Sequence, residues 1–276
     1  MKRLLIGDKD ISNMLRLNGE YVNVPFPELT SVNFFIVAGG GGGGPGEPEL
    51  VTPAPGGGGG GAGGVITGSI DIYSLESYTV SVGTGGNGGR TLAGQNGGNT
   101  TFAGLTAIGG GGGGRGLGGS ISDCTNGNGR SGGSGGGQGA NPYYGNTCAT
   151  GSGLQPTSES GGFGNNGGPA ISLVSGGGGG ALGPSVSTVG GPAFVWEEDG
   201  EYYAAGGNAN SSPANNTVSG SGGYGGQREE YGMDGLDGIA VIWYEGPVRA
   251  FGGTITENDG KTYHTFTSSS AFYAVR

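Results

Sequence analysis

The sequence has little of what most enzymes work with. It carries one histidine, His264, and two cysteines, Cys124 and Cys148. No stretch approaches the about 20 apolar residues of a membrane span, so membrane insertion is not expected. Basic residues are scarce too: 11 Lys and Arg against 21 Asp and Glu leave a net charge of −10. The cations are scattered, without the basic patch that neutralises phosphates, and nucleic acid is excluded as an expected partner. The acidity serves solubility. Apolar residues make up only 32% of the chain, below an ordinary globular domain, so a side-chain core can occupy only part of it. Near the start the apolar patch Leu4–Ile6 is too short for a secretory signal. The expectation is a soluble product made in a cytoplasm.

What is present is glycine, 75 of 276 residues. Unbroken runs occupy 39–44, 56–61, 109–114 and 176–180. Glycine loses more backbone freedom on folding than any other residue, and these runs bring no side chains to bury. Either they stay disordered, as such low-complexity composition ordinarily does, or they pack backbone on backbone. Collagen is excluded, because no G-X-Y repeat is sustained and proline is too rare. Polyglycine can form a left-handed helix of three residues per turn whose N–H and C=O groups all point outward. Several such helices side by side would satisfy one another, and a six-residue run would be two turns, roughly 19 Å long. The apolar segments between the runs favour this packed reading over disorder.

Those segments read as strands. They are Val32–Ala38, Val65–Ile72, Tyr78–Val82, Thr100–Ile108 and Gly238–Tyr244, the last expected to close a sheet begun at Val32. Residues 1–30 read as an attachment segment or a poorly ordered terminus, with Asn18-Gly19 as a turn signal. The tail, 247–276, reads as a short β-meander around the Asn258-Asp259-Gly260 turn. Residues 115–237 alternate glycine pieces with loops. Aromatic residues concentrate in two of these loops: Tyr143 and Tyr144, and Trp196 with Tyr202 and Tyr203. Aromatics in Gly/Asn/Ser-rich loops are the composition of recognition surfaces, although such rings can also staple a loop to its support. Cys124 and Cys148 flank another loop and are either a disulfide or two free thiols.

No catalytic constellation stands out. His264 alternates with apolar neighbours as a strand residue does. Gly129-Arg130-Ser131-Gly132-Gly133 fits a nucleophile-elbow pattern by chance in so glycine-rich a chain, and no strand leads into it. Gly260-Lys261-Thr262 resembles the end of a phosphate-binding loop, but Ile255 stands where its first glycine belongs. No Cys/His cluster has zinc spacing. Asp234 and Asp237 could hold a hard cation but read better as a turn before the last strand. Neither a metal, a cofactor nor an enzymatic activity is expected.

The order of pieces is itself informative. FFIVAGGGGGG, YTVSVGTGGNGG, TTFAGLTAIGGGGGG, a long glycine-rich middle and DGLDGIAVIWYEG together resemble the glycine-rich domain of bacteriophage tail and tail-fibre proteins. The closing GGTITENDGKTYHTFTSSSAF is similar to a short module that often follows it, and the resemblance spans roughly residues 31–273. It implies an all-β protein: a small, jelly-roll-like β-sandwich (31–246) with an inserted bundle of polyglycine II helices, then the C-terminal β-meander (247–276). The polyglycine architecture is similar to that of T-even-like fibre-tip adhesins. The resemblance further implies a virion tail component, made in the host cytoplasm. Its partners would be a host cell-surface receptor (polysaccharide or outer-membrane protein) and other tail proteins, with a homotrimer allowed. Tyr143, Tyr144, Trp196, Tyr202 and Tyr203 are the candidate receptor contacts. The alternatives are a purely structural virion subunit and, less well supported, an ice-binding surface.

Overall fold

The computed structural model describes residues 28–47, 55–118, 124–142, 145–210 and 217–275, together with the backbone of four short strands nearer the start. Those four are β1 (Leu5–Ile6), β2 (Lys9–Asp10), β3 (Met14–Leu17) and β4 (Glu20–Asn23). They form two antiparallel pairs, β1 with β2 and β3 with β4. Among the described residues the regular structure is nearly all strand, with one 3₁₀ turn at Gln155–Thr157.

Ten later strands make two five-stranded antiparallel sheets. The first contains β5 (Ser31–Val37), β6 (Val65–Asp71), β12 (Ile239–Glu245), β14 (Thr254–Asn258) and β15 (Lys261–Phe266), in the order β14-β15-β12-β5-β6. The second contains β7 (Ser77–Ser81), β8 (Thr100–Phe102), β9 (Leu105–Ala107), β13 (Ala250–Phe251) and β16 (Ser270–Ala274), in the order β13-β16-β7-β8-β9. A two-stranded hairpin, β10 (Phe194–Val195) with β11 (Tyr202–Tyr203), completes the set.

Side-chain alternation explains why the central strands are apolar throughout. Val32, Phe34 and Ile36 of β5 and Ala240, Ile242 and Tyr244 of β12 meet Val80, Phe102 and Phe272 of the second sheet in one buried core. The intervening Phe35, Val37, Ile239, Val241 and Trp243 face the opposite way, into a second core closed by Trp196, Ala181 and Ala204. The expected pairing of the late strand with the first holds, with Ile239 opposite Val37 and Trp243 opposite Asn33.

Two expectations are corrected. Thr100–Ile108 is not one strand: Ala103 and Gly104 both take positive φ, 47° and 83°, and fold β8 back on β9. That is the two-residue turn geometry that matches strand twist. The tail is not a separate meander. β14 and β15 extend the first sheet, whereas β13 and β16 complete the second, so residues 250–274 belong to the same unit as the strands before them.

The glycine segments form three insertions between strands: 38–64, 82–99 and 108–238. All leave from one end of the sheets. Val37 pairs with Val65 and with Ile239, and the Thr100 hydroxyl donates to the Val37 carbonyl at 2.9 Å. Their hydrogen bonds follow a three-residue rotation. Gly39 and Gly42 donate to Gly98 and Gln95; Gly40 and Gly43 donate to Leu236 and Met233; Gly41 and Gly44 donate to Gly61 and Gly58. The carbonyls of Gly39 and Gly42 accept from Gly110 and Gly113, those of Gly40 and Gly43 from Gly86 and Gly89, and those of Gly41 and Gly44 from Gly223 and Gly226. The segment after β5 is thus ringed by six others, and every one of these peptide groups has a peptide partner. Backbone pairing satisfies an interior that side chains cannot fill.

Toward the outside of this array, polar side chains replace peptide carbonyls at the same spacing. Asn96 and Asn99 accept from Gly112 (3.0 Å) and Gly109 (2.9 Å). Asp234 and Asp237 accept from Gly88 (2.6 Å) and Gly85 (2.8 Å). The three-residue spacing of both pairs is the segments' own repeat, and it accounts for the two aspartates without a cation.

Candidate functional site

Among the described residues, the outer face of the first sheet carries a dense aromatic grouping. The β10–β11 hairpin lies over β5, β12 and β15. Trp196 stacks on Phe35 with centroids 4.5 Å apart and meets Trp243 edge-on at 5.3 Å; Trp243 in turn stacks over Tyr263 at 6.3 Å. Trp196 is 7% exposed: it anchors the hairpin, and most of its ring is not available to a partner. Tyr203 is half-buried against Phe35 at 4.9 Å, whereas Tyr202 is 58% exposed. This split follows strand alternation, since neighbours on β11 point to opposite faces. Tyr143 and Tyr144 lie outside the described residues.

A pocket of about 250 Å³ opens between the hairpin and the sheet. Its floor is Val241, Thr256 and Thr265, its aromatic walls are Trp196, Tyr203 and Tyr263, and Glu198, Asp199 and Asn258 stand among its polar lining. The polar groups are held in place. Asp199 accepts from the Tyr203 hydroxyl at 2.7 Å and from the Glu201 N–H at 2.9 Å. Glu198 accepts from Lys261 at 2.7 Å and from the Tyr263 hydroxyl at 3.2 Å, both on Oε2. The hydrogen bond from Lys261 holds the Glu198 carboxyl below the usual carboxylate range, and the same bond raises the Lys261 ammonium. Burial and the bond to Asp199 push the Tyr203 phenol well up, so it stays a donor. Two carboxylates, Glu198 and Asp199, thus stand beside neutral phenols and the side chains of Val241, Thr256 and Thr265.

His264 is placed otherwise. It is fully buried in β15, between the two sheets. Its Nδ1–H donates to the Gly252 carbonyl at 2.8 Å. Nε2 then accepts from the Tyr244 hydroxyl at 3.1 Å, which itself accepts from the Arg249 N–H at 2.8 Å. Burial lowers the imidazole pKa, so the ring is neutral and fully partnered, a core residue that no substrate reaches. Ser131, in the elbow-like pattern, accepts from the Ser152 N–H at 3.1 Å. Among the described residues no group of three His, Cys, Asp or Glu could hold a metal.

The far end of the glycine segments is a different surface. Segments 39–46 and 109–117 run away from the sheets, and 56–64 and 94–98 return. Cys124 and Cys148 are joined there by a disulfide, Cα atoms 5.1 Å apart. Nearby, Glu47 is buried and pairs with Arg115 at 3.2 Å while accepting from the Gly118 N–H at 3.1 Å. Two tight turns, Ile171–Val174 and Val186–Val189, project apolar side chains from this end.

These features define an all-β protein whose sheets carry a large glycine-rich insertion. The chain belongs to the glycine-rich domain family, whose profile matches residues 16–245. None of the curated proteins compared matches it. The family match ends with β12, yet β13–β16 supply four of the ten strands in the two sheets.

Proposed function

We propose that this protein is a bacteriophage tail-fibre or tail-tip component that attaches to the host cell surface. In this reading the two sheets are a jelly-roll-like sandwich and the inserted segments are polyglycine II helices. The three-residue rotation of hydrogen-bond partners along 39–46 supports that assignment, since it is the repeat of that helix. The order of strand-to-glycine junctions supports the tail-fibre assignment.

The observation that carries the attachment reading is the β10–β11 hairpin. An aromatic loop pinned by Trp196 and Phe35 holds Tyr202 in solvent above a rigid double layer. Recognition groups on stiff supports lose little entropy on binding. Tyr202 and Tyr203, together with Tyr143 and Tyr144, are the proposed contacts, and Trp196 acts by holding the hairpin. The receptor is a surface polysaccharide or an outer-membrane protein, and the protein resides in the virion tail with other tail proteins as neighbours.

Fluorescently labelled protein should bind susceptible bacteria and not receptor-deficient mutants of the same strain. Replacing Tyr202 and Tyr203 by alanine should weaken that binding at least about tenfold, as for truncation of an interface hot spot. Equal binding to both kinds of cell would reject attachment.

One observation favours a second reading, a structural virion subunit without receptor contact. β14 is an edge strand exposed along all five residues, and it contains neither Lys nor Pro to discourage strand addition. Binding to intact tails lacking this protein, with none to cells, would favour that reading.

A further inference from the structure

We infer that the pocket under the β10–β11 hairpin binds a sugar that carries a free amine, seating the ammonium between Asp199 and Glu198. The argument rests on the attachment reading only in naming a sugar as the source of the amine.

Size comes first. At about 250 Å³ the pocket lies below the roughly 300–1,000 Å³ of sites for drug-sized ligands, which suits one sugar ring at a chain end. The lining comes next. Ring atoms of Trp196, Tyr203 and Tyr263 offer apolar surface to C–H groups and negative ring faces to a cation. Thr256, Thr265 and Asn258 supply hydroxyl and amide partners for sugar hydroxyls.

Charge then selects among sugars. Residues 197–201 of the hairpin are Glu-Glu-Asp-Gly-Glu. Lys261, which neighbours the pocket residue Glu198, is already bound to it. Glu198 uses only Oε2 for Lys261 and Tyr263, and among the described residues no hydrogen bond reaches its Oε1. Asp199 is aimed by Tyr203 and by the Glu201 amide, so it is ordered before a ligand arrives. An anionic sugar would meet two carboxylates in a lining that, among the described residues, includes no Lys or Arg, whereas an ammonium would find charge-assisted acceptors and an aromatic wall.

The chain's two tryptophans, Trp196 and Trp243, both belong to this aromatic cluster, so intrinsic tryptophan emission reports on the site. The intact protein is titrated with glucosamine, glucose and glucuronate at constant ionic strength. Glucosamine should change the emission saturably, with a half-saturation at least about tenfold below that of glucose, and glucuronate should have no effect. Asp199→Asn should raise the glucosamine half-saturation by about tenfold and leave glucose unmoved. Glu198→Gln, which alters an exposed carboxylate, should do likewise and serves if Asp199→Asn does not fold.

Equal responses to glucosamine and glucose, preference for glucuronate, or no response to any sugar would each overturn the inference. Absence of a sugar response in protein that still binds susceptible cells removes this inference alone. A glucosamine response in protein that binds no cells supports it and removes the attachment reading.

Discussion

A Cβ built on Gly60 would overlap the carbonyl of Gly41, a backbone atom that cannot swing aside, whereas one on Gly104 meets nothing within 4 Å. The first glycine is required by close approach and the second by its φ of 83°. Gly60→Ala is expected to destabilise by at least the roughly 1–3 kcal/mol of core overpacking. Gly104→Ala should cost about 1–2 kcal/mol. Chemical denaturation of both variants checks these costs, and a Gly60→Ala variant as stable as the wild type would contradict close packing at Gly60. His264 supplies a second prediction at this scale. Its pKa is lowered by burial in the folded state, so the unfolded chain binds the proton more tightly. Stability contributed by the neutral ring is present above the unfolded pKa of about 6.5 and falls as pH drops below it toward the folded value. The slope from this group cannot exceed about 1.4 kcal/mol per pH unit. Thermal melts between pH 7.5 and 5 should show the decline in the wild type and a flatter profile in His264→Gln. The strand position of His264 was legible from its apolar neighbours; its partnership with Tyr244 was not, because the two lie on different strands of the sheet.

At the scale of elements, the strand-to-glycine junctions were readable wherever a β-branched or aromatic run met glycine, as at Val37 and Ile239. The β8–β9 hairpin was hidden because Ala103-Gly104 is a weaker turn signal than Asn-Gly. The aromatic hairpin was visible as composition alone. Sequence could not say which of its rings would be the anchor, since that depends on Phe35 lying beneath Trp196. The disulfide was equally undecided, for two cysteines 24 residues apart can be bonded or free until the chain brings them together. It closes a loop at the far end of the glycine segments, so reducing it should lower stability by about 3 kcal/mol in the loop-entropy account. A drop in melting temperature under reductant, matched by the Cys124→Ser/Cys148→Ser double variant, checks this. No change in either would mean that the surrounding peptide bonds already fix the loop.

For the whole molecule, rigidity is assigned to the part with the fewest side chains. Amides of Gly41, Gly42, Gly60 and Gly112 should exchange several orders of magnitude more slowly than that of exposed Tyr202, as read by hydrogen exchange with site resolution. Exchange at the rate of a free peptide would contradict the hydrogen-bonded array. The glycine content and the recurring apolar-to-glycine junctions were enough on their own to determine β-strands alternating with glycine runs, because those features are local and tied to a short repeat; whether the runs pack on one another they left between order and disorder. The tertiary structure alone decided which segments are neighbours. It split the tail between the two sheets, buried Trp196, joined Cys124 to Cys148 and put two carboxylates beside the aromatic pocket. Glycine carries no side-chain signal that distinguishes one partner from another, so pairing among its segments is fixed only when the sheets set their starting points and the whole array closes.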